Sequence, residues 1–188
     1  MRKRHPRRGF VRTGLALALG AAASQPAWAT ATRPSFDRVD EIARLAFVHT
    51  HTGESLDVVY REGPHYVSDA LTEIDRVLRD HRSGDVHAID RNLLDQLVRV
   101  QRLLDVGERP FHVISGYRSP KTNAMLAARS GGVATKSLHL QGRAVDVRMP
   151  GVELRALHRA ALSMKAGGVG YYARSNFVHL DTGRIRRW

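Results

Sequence analysis

The run Ala144-Val145-Asp146-Val147-Arg148-Met149 sets a carboxylate in the middle of a short apolar strand. Few features restrict a fold as strongly, because a charge taken out of water without a partner is expensive. Asp146 has to meet a cation, either a metal or an arginine. At the two-residue period of a strand, Ala144 shares its face, and that small side chain leaves room beside the carboxylate. Just upstream, Ser137-Leu138-His139-Leu140-Gln141-Gly142 supplies an imidazole, and Gly142 permits a tight turn between His139 and Asp146. On this pair alone two arrangements stay open. His139 and Asp146 share an ion, or Asp146 pairs with Arg118 or Arg143 while His139 lies on the surface.

A third residue bears on the choice. Phe177-Val178-His179-Leu180-Asp181 alternates as a strand, with Val178 and Leu180 on one face and His179 and Asp181 on the other. A histidine and an aspartate side by side suggest a metal site or a His–carboxylate pair that orients a ligand. The other reading is a satisfied core histidine, with Asp181 starting the Thr182-Gly183 turn. The chain has no cysteine, which excludes thiolate nucleophiles and leaves any metal to His and carboxylate ligands. His139, Asp146 and His179 leave one open position on a tetrahedral zinc, the pattern of a site that acts on a substrate. A metal with a free position can activate water, so hydrolysis is the expected chemistry. The other histidines (His49, His51, His65, His81, His87, His112 and His158) have no comparable acidic partner, and most read as surface or turn residues; His112, next to Ser115-Gly116-Tyr117-Arg118, is a candidate to line a cleft.

Residues 1–14 carry six basic residues and no acid, followed by the apolar run Leu15 to Ala23, then Pro26 and Ala27-Trp28-Ala29. This is the pattern of an export signal cleaved after Ala29. Its apolar run is short of the roughly 20 residues a spanning helix needs. Arg7-Arg8-Gly9-Phe10-Val11-Arg12 resembles a twin-arginine signal, an ordinary arginine-rich export signal being the alternative. The whole chain has 30 Lys and Arg against 18 Asp and Glu. Without residues 1–29 the balance is twenty-four against eighteen, moderately basic. That suits a polyanionic envelope, and the scattered basic residues lack the aromatic interleaving of a nucleic-acid binder. Nucleic acid is not an expected partner, nor is a membrane span once the leader is removed; nothing in the sequence fixes an oligomeric state.

Residues 30–41 read as a linker and 42–188 as one domain with a core of its own. Strands are expected at Leu45–His49 and Ser55–Tyr60, and a helix capped by Ser68 and ended by Ser83-Gly84. A second helix runs from near Asp90 to Gly107, followed by a strand Phe111–Ile114 and a helix Lys121–Arg129. A loop over 130–136 leads to the His139 segment. Then come a strand Ala144–Met149, a helix Val152–Lys165 and three strands, Gly168–Tyr172, Phe177–Asp181 and Arg184–Trp188, the last two forming a hairpin over Thr182-Gly183. Irregular mixing of helices and strands favours an α+β fold, with a small, mainly antiparallel sheet carrying the site and helices packed on it.

Ser137-x-His139-x-x-Gly142-x-Ala144-x-Asp146, preceded by Ser115-Gly116-Tyr117-Arg118-Ser119 and followed by Phe177-Val178-His179-x-Asp181, resembles the D-alanyl-D-alanine metallopeptidase family. It is most similar to the exported murein endopeptidase branch, within the lysostaphin/D-Ala-D-Ala peptidase/hedgehog group. The likeness spans Leu45 to Trp188 and includes Thr50-His51-Thr52-Gly53-Glu54 and Asp181-Thr182-Gly183-Arg184. It implies zinc on His139, Asp146 and His179. It also implies that Arg118 steadies the substrate through a peptide carboxylate or the developing oxyanion, a turn arginine paired with a nearby acid being the structural alternative. Many relatives carry Glu or Asp three residues before the last zinc histidine; here that position is Asn176, which cannot take a proton. Asp181 is the expected catalytic substitute, or it only orients His179. The activity implied is a zinc-dependent peptidoglycan hydrolase of the periplasm or cell envelope, cutting stem-peptide or cross-link amides as an endopeptidase or as a D,D- or L,D-carboxypeptidase. The alternative is a noncatalytic, zinc-stabilised module that binds the envelope.

Overall fold

The computed structural model describes residues 42–129 and 134–188; the expected leader, the linker and part of the 130–136 loop lie outside them. Apolar residues at alternate positions build a single eight-stranded sheet from β1 (Ile42–His49), β2 (Ser55–Glu62), β3 (His65–Tyr66), β4 (Phe111–Ser115), β5 (Ala144–Arg148), β6 (Gly168–Tyr172), β7 (Phe177–Asp181) and β8 (Arg186–Arg187). Its order is β3-β2-β1-β4-β5-β7-β6-β8. Pairing is antiparallel except between β1 and β4 and between β6 and β8. The helices are α1 (Ser68–Val77), α2 (Arg91–Leu104), α3 (Pro120–Arg129) and α4 (Leu154–Ser163). The fold is α+β, with a mixed, mostly antiparallel open sheet.

One face of the sheet is dry. Leu45, Phe47, Val113, Val145, Val147, Val178 and Leu180 meet Ile74 of α1, Leu93, Leu94 and Leu97 of α2, and Leu157 of α4 in one core. The intervening residues of β5 and β7 point to the opposite face, so Asp146 and His179 are buried without joining the apolar cluster. Among the described residues no helix is long and apolar enough to cross a membrane.

Several local expectations are corrected. The expected hairpin over Thr182-Gly183 is absent: both edges of β7 are already taken by β5 and β6, and β8 pairs with the outer edge of β6 instead. Ser68 is the first helical residue and not the cap, which is Val67 without a side-chain bond. α1 also stops at Val77, well before Ser83-Gly84, because tertiary contacts claim the following groups. The Leu78 carbonyl accepts the Tyr117 N–H at 2.8 Å, and Asp80 accepts the Ser119 and Arg82 N–H groups at 2.9 and 3.0 Å. α2 begins where expected, and Asp90 caps it by accepting the Asn92 N–H at 3.0 Å, an arrangement that satisfies a helix-terminal donor.

Asp80 ties the end of α1 to the segment carrying Arg118. Burial alone would push its carboxyl up, but hydrogen bonds from Thr122, Ser119 and Arg82 hold it well below the usual carboxylate range. A carboxyl lowered by folding stabilises the protein above its unfolded value of about 4, and that contribution fades as pH falls below it. Asp80→Ala is expected to cost about 1–3 kcal/mol at pH 7, since it strands buried N–H donors. In urea unfolding the gap to wild type should shrink at pH 3; a gap unchanged between the two pH values would contradict this role.

Candidate metal centre

Strand register assembles the site. Ser115 of β4 lies opposite Asp146 of β5, Asp146 opposite His179 of β7, and His179 opposite Gly170 of β6. These four form a row across the sheet on the face away from the core, where cross-strand neighbours are close enough to touch. His139 enters from a 3-10 helix, Leu138–Gln141, whose cap Ser137 accepts the His139 N–H. Gly142 closes this turn at φ +63°, and a Cβ there would sit 2.1 Å from the Ala88 carbonyl oxygen, so only glycine fits.

Three ligand-type atoms converge. His179 Nδ1 is 2.8 Å from Asp146 Oδ1 and 3.2 Å from His139 Nε2, and His139 Nε2 is 3.3 Å from Asp146 Oδ1. Donors about 2.0–2.1 Å from a tetrahedral zinc lie roughly 3.3 Å from one another, so the set fits such an ion with little movement. The second nitrogen of each imidazole is engaged. His139 Nδ1 donates to the Gly116 carbonyl at 2.6 Å, and His179 Nε2 donates to Asp181 Oδ2 at 3.0 Å. Each bond aims the remaining nitrogen at the centre, as metal-binding histidines require.

Electrostatics favour positive charge here. Burial would raise the Asp146 carboxyl, but His139 and His179 beside it hold it well below the usual carboxylate range. Burial lowers His139 and so favours the neutral imidazole that a ligand must be. Burial opposes charge on His179 too, yet its bonds to Asp146 and Asp181 outweigh that and raise it. A place that attracts an extra proton also attracts a metal cation.

Asp146 does pair with Arg118, but His139 is buried beside it and not on the surface, as the arginine-paired alternative required. Its Oδ1 faces the imidazoles while its Oδ2 accepts from Arg118 Nη2, and Arg118 Nε donates to Ser115 Oγ at 2.8 Å. Arg143 turns elsewhere, to Thr182 and Asp90. Asp181 is fully buried behind His179. Its Oδ1 accepts from the Gly168 and Gly183 N–H groups and Arg186 Nη1 at 2.9, 2.8 and 3.0 Å, and its Oδ2 from Arg186 Nη2 at 2.6 Å besides His179. These bonds outweigh burial and hold its carboxyl far below the usual range. Asn176 lies exposed in the β6–β7 turn at φ +52°.

A cleft of about 330 Å³ opens over the centre. Arg118, His139, Asp146 and His179 line it, together with Lys136, Tyr172, Phe177, Arg186 and Trp188, which sequence reasoning missed. His112 does not line it. His49 is buried, against expectation, because its Nδ1 accepts the His51 and Thr52 N–H groups of the β1–β2 turn.

A His–Asp–His centre beneath an open cleft has the donor set of a metal site with a free position, the kind that acts on a substrate. A family model described as peptidoglycan L,D-endopeptidase MepK matches residues 38–188. The chain is 46% identical over 173 residues to the peptidoglycan L,D-endopeptidase MepK of Escherichia coli (strain K12), covering 92% of this chain and 91% of the relative. It is 40% identical over 144 residues to the probable peptidoglycan L,D-endopeptidase MepK of Haemophilus influenzae, covering 77% of each. The chain belongs to the peptidoglycan L,D-endopeptidase MepK family.

Asp146→Ala is expected to abolish stoichiometric metal binding. Asp181→Asn should weaken it about 10–100-fold, as loss of a ligand's carboxylate partner does. Competition with a chromophoric chelator measures both, and an unchanged affinity in Asp181→Asn would remove Asp181 from the site.

Proposed function

We propose that this protein is a zinc metallopeptidase that hydrolyses an amide joining an L- and a D-configured centre in peptidoglycan cross-links. The observation that carries this reading is the convergence of His139 Nε2, Asp146 Oδ1 and His179 Nδ1 beneath an open cleft. Zinc is the metal we assign, because two imidazoles and one carboxylate form an open tetrahedral set that hard oxygen-seeking cations do not prefer. When bound, zinc supplies Lewis acidity toward a carbonyl and lowers the pKa of water.

The chain's own residues do the rest. His139 and His179 are held in the ligating tautomer by Gly116 and Asp181. Arg118 is fixed by Ser115 and Asp146, with its guanidinium lining the cleft. It is assigned to a peptide carboxylate or a developing oxyanion, for which a permanently charged fork of donors is suited. Asp181 is assigned to positioning His179. Its oxygens are engaged by donors behind the imidazole, so it is not disposed to take a proton from the cleft. Membership of an endopeptidase family favours this reading over a noncatalytic envelope-binding module.

We assign residues 42–188 to the metallopeptidase domain, 30–41 to a linker and 1–29 to a twin-arginine leader that delivers the protein to the periplasm, where its substrate is. Mass spectrometry of muropeptides before and after digestion tests the activity and the bond together. Zinc-loaded protein should convert cross-linked dimers to monomers whose new termini mark an L,D bond. Chelation and Asp146→Ala should both stop the conversion; intact dimers after incubation with zinc-loaded wild type would overturn the proposal.

A further inference from the structure

The row Ser115–Asp146–His179 ends at Gly170, which has no side chain, and Trp188 takes the space. A Cβ on Gly170 would lie 2.7 Å from the indole Cε2. The indole is seated from several sides. Its Nε1 donates to Tyr172 Oη at 2.8 Å, and the Arg186 guanidinium lies 4.9 Å from its ring centre. The Trp188 backbone pairs on both sides along β6, its N–H donating to Val169 at 3.3 Å and its carbonyl accepting from Tyr171 at 3.0 Å. The ring is 5.2 Å from that of His179. Yet Trp188 remains 49% exposed and lines the cleft. A large aromatic surface half-exposed yet held by hydrogen bonds beside the candidate metal centre contributes little to the core, whereas apolar faces with a few convergent polar groups are how binding sites hold ligands.

The charges around it define the ligand. Arg118 and Arg186 line the cleft but are paired with Asp146 and Asp181. Exposed Lys136, ahead of the 3-10 helix, also lines the cleft. Asp146 is the cleft's carboxylate among the described residues, and it is already matched by Arg118. The cleft therefore suits an anionic peptide with a flat or aliphatic stretch for the indole.

We infer that Trp188 and Lys136 form a substrate subsite of the metal centre, in which the indole carries an aliphatic side chain of the stem peptide and the Lys136 ammonium pairs with a carboxylate of the same peptide. Gly170 is the permissive residue of this subsite, since any larger side chain would expel the indole. The inference rests on the peptidase reading above.

The chain contains two tryptophans, Trp28 and Trp188, so full-length Trp28→Phe protein reports on Trp188 alone. Titrating it with a purified disaccharide–tetrapeptide muropeptide should quench or shift its fluorescence saturably, and Lys136→Glu should raise the apparent Kd about tenfold, as loss of a central contact does. This arm needs no change at position 188 and no turnover. In steady-state assays on cross-linked dimers, Trp188→Ala should raise KM about tenfold with kcat within about threefold and zinc content unchanged, and Trp188→Phe should restore most of the loss. Fluorescence that stays constant while calorimetry registers binding of the same muropeptide would overturn the subsite, as would an unchanged KM in an active Trp188→Ala enzyme. Saturable quenching in a protein that cleaves no murein would instead uphold the subsite and overturn the peptidase reading.

Discussion

Asp146 is a carboxylate that folding takes out of water, and the surrounding structure is arranged to compensate for it. One oxygen faces two imidazoles and the other meets Arg118. Each of those partners is fixed by something further out: His139 by Gly116, His179 by Asp181, Arg118 by Ser115, and the Ser119 backbone next to Arg118 by Asp80. A buried charge without such compensation would be strongly destabilising. The same layers of support give a metal a rigid set of donors, which is the condition for a site that acts on a substrate without rearranging first.

The sheet supplies the precision. Cross-strand register brings Ser115, Asp146, His179 and Gly170 into line, although they lie up to 64 positions apart in sequence. On β5 and β7 the alternate residues Val145, Val147, Val178 and Leu180 anchor the opposite face in the core. A slip of one residue in either strand would exchange the two faces, setting valine where Asp146 or His179 now stands. Core packing and site geometry therefore depend on one register.

Much of this was legible in the sequence. An acid amid valines demanded a cation, and alternation in Phe177–Asp181 set His179 and Asp181 on one face. Gly142 marked a turn that admits no side chain. What stayed hidden depends on which strands become neighbours. The Thr182-Gly183 signal suggested a hairpin, but β7 has no free edge, so the chain crosses to β6 and carries Trp188 over Gly170. The place of Trp188 in the cleft wall follows from that crossing and had no local signature, whereas Tyr172 and Phe177 pair across the local β6–β7 hairpin. Asp181 was correctly placed beside His179 by period two. Its burial behind the imidazole, held by Arg186 and two backbone donors, needed the folded structure.

Zinc K-edge X-ray absorption on the metal-loaded full-length protein reads the donors of the His139–Asp146–His179 centre themselves. One zinc per chain is expected, in a four-coordinate shell at about 2.0–2.1 Å with the multiple scattering of two imidazoles and the remainder oxygen. That imidazole signature should be lost in Asp146→Ala, where stoichiometric binding fails. A shell of six oxygens without imidazole scattering, or a wild-type spectrum unchanged by Asp146→Ala, would contradict it.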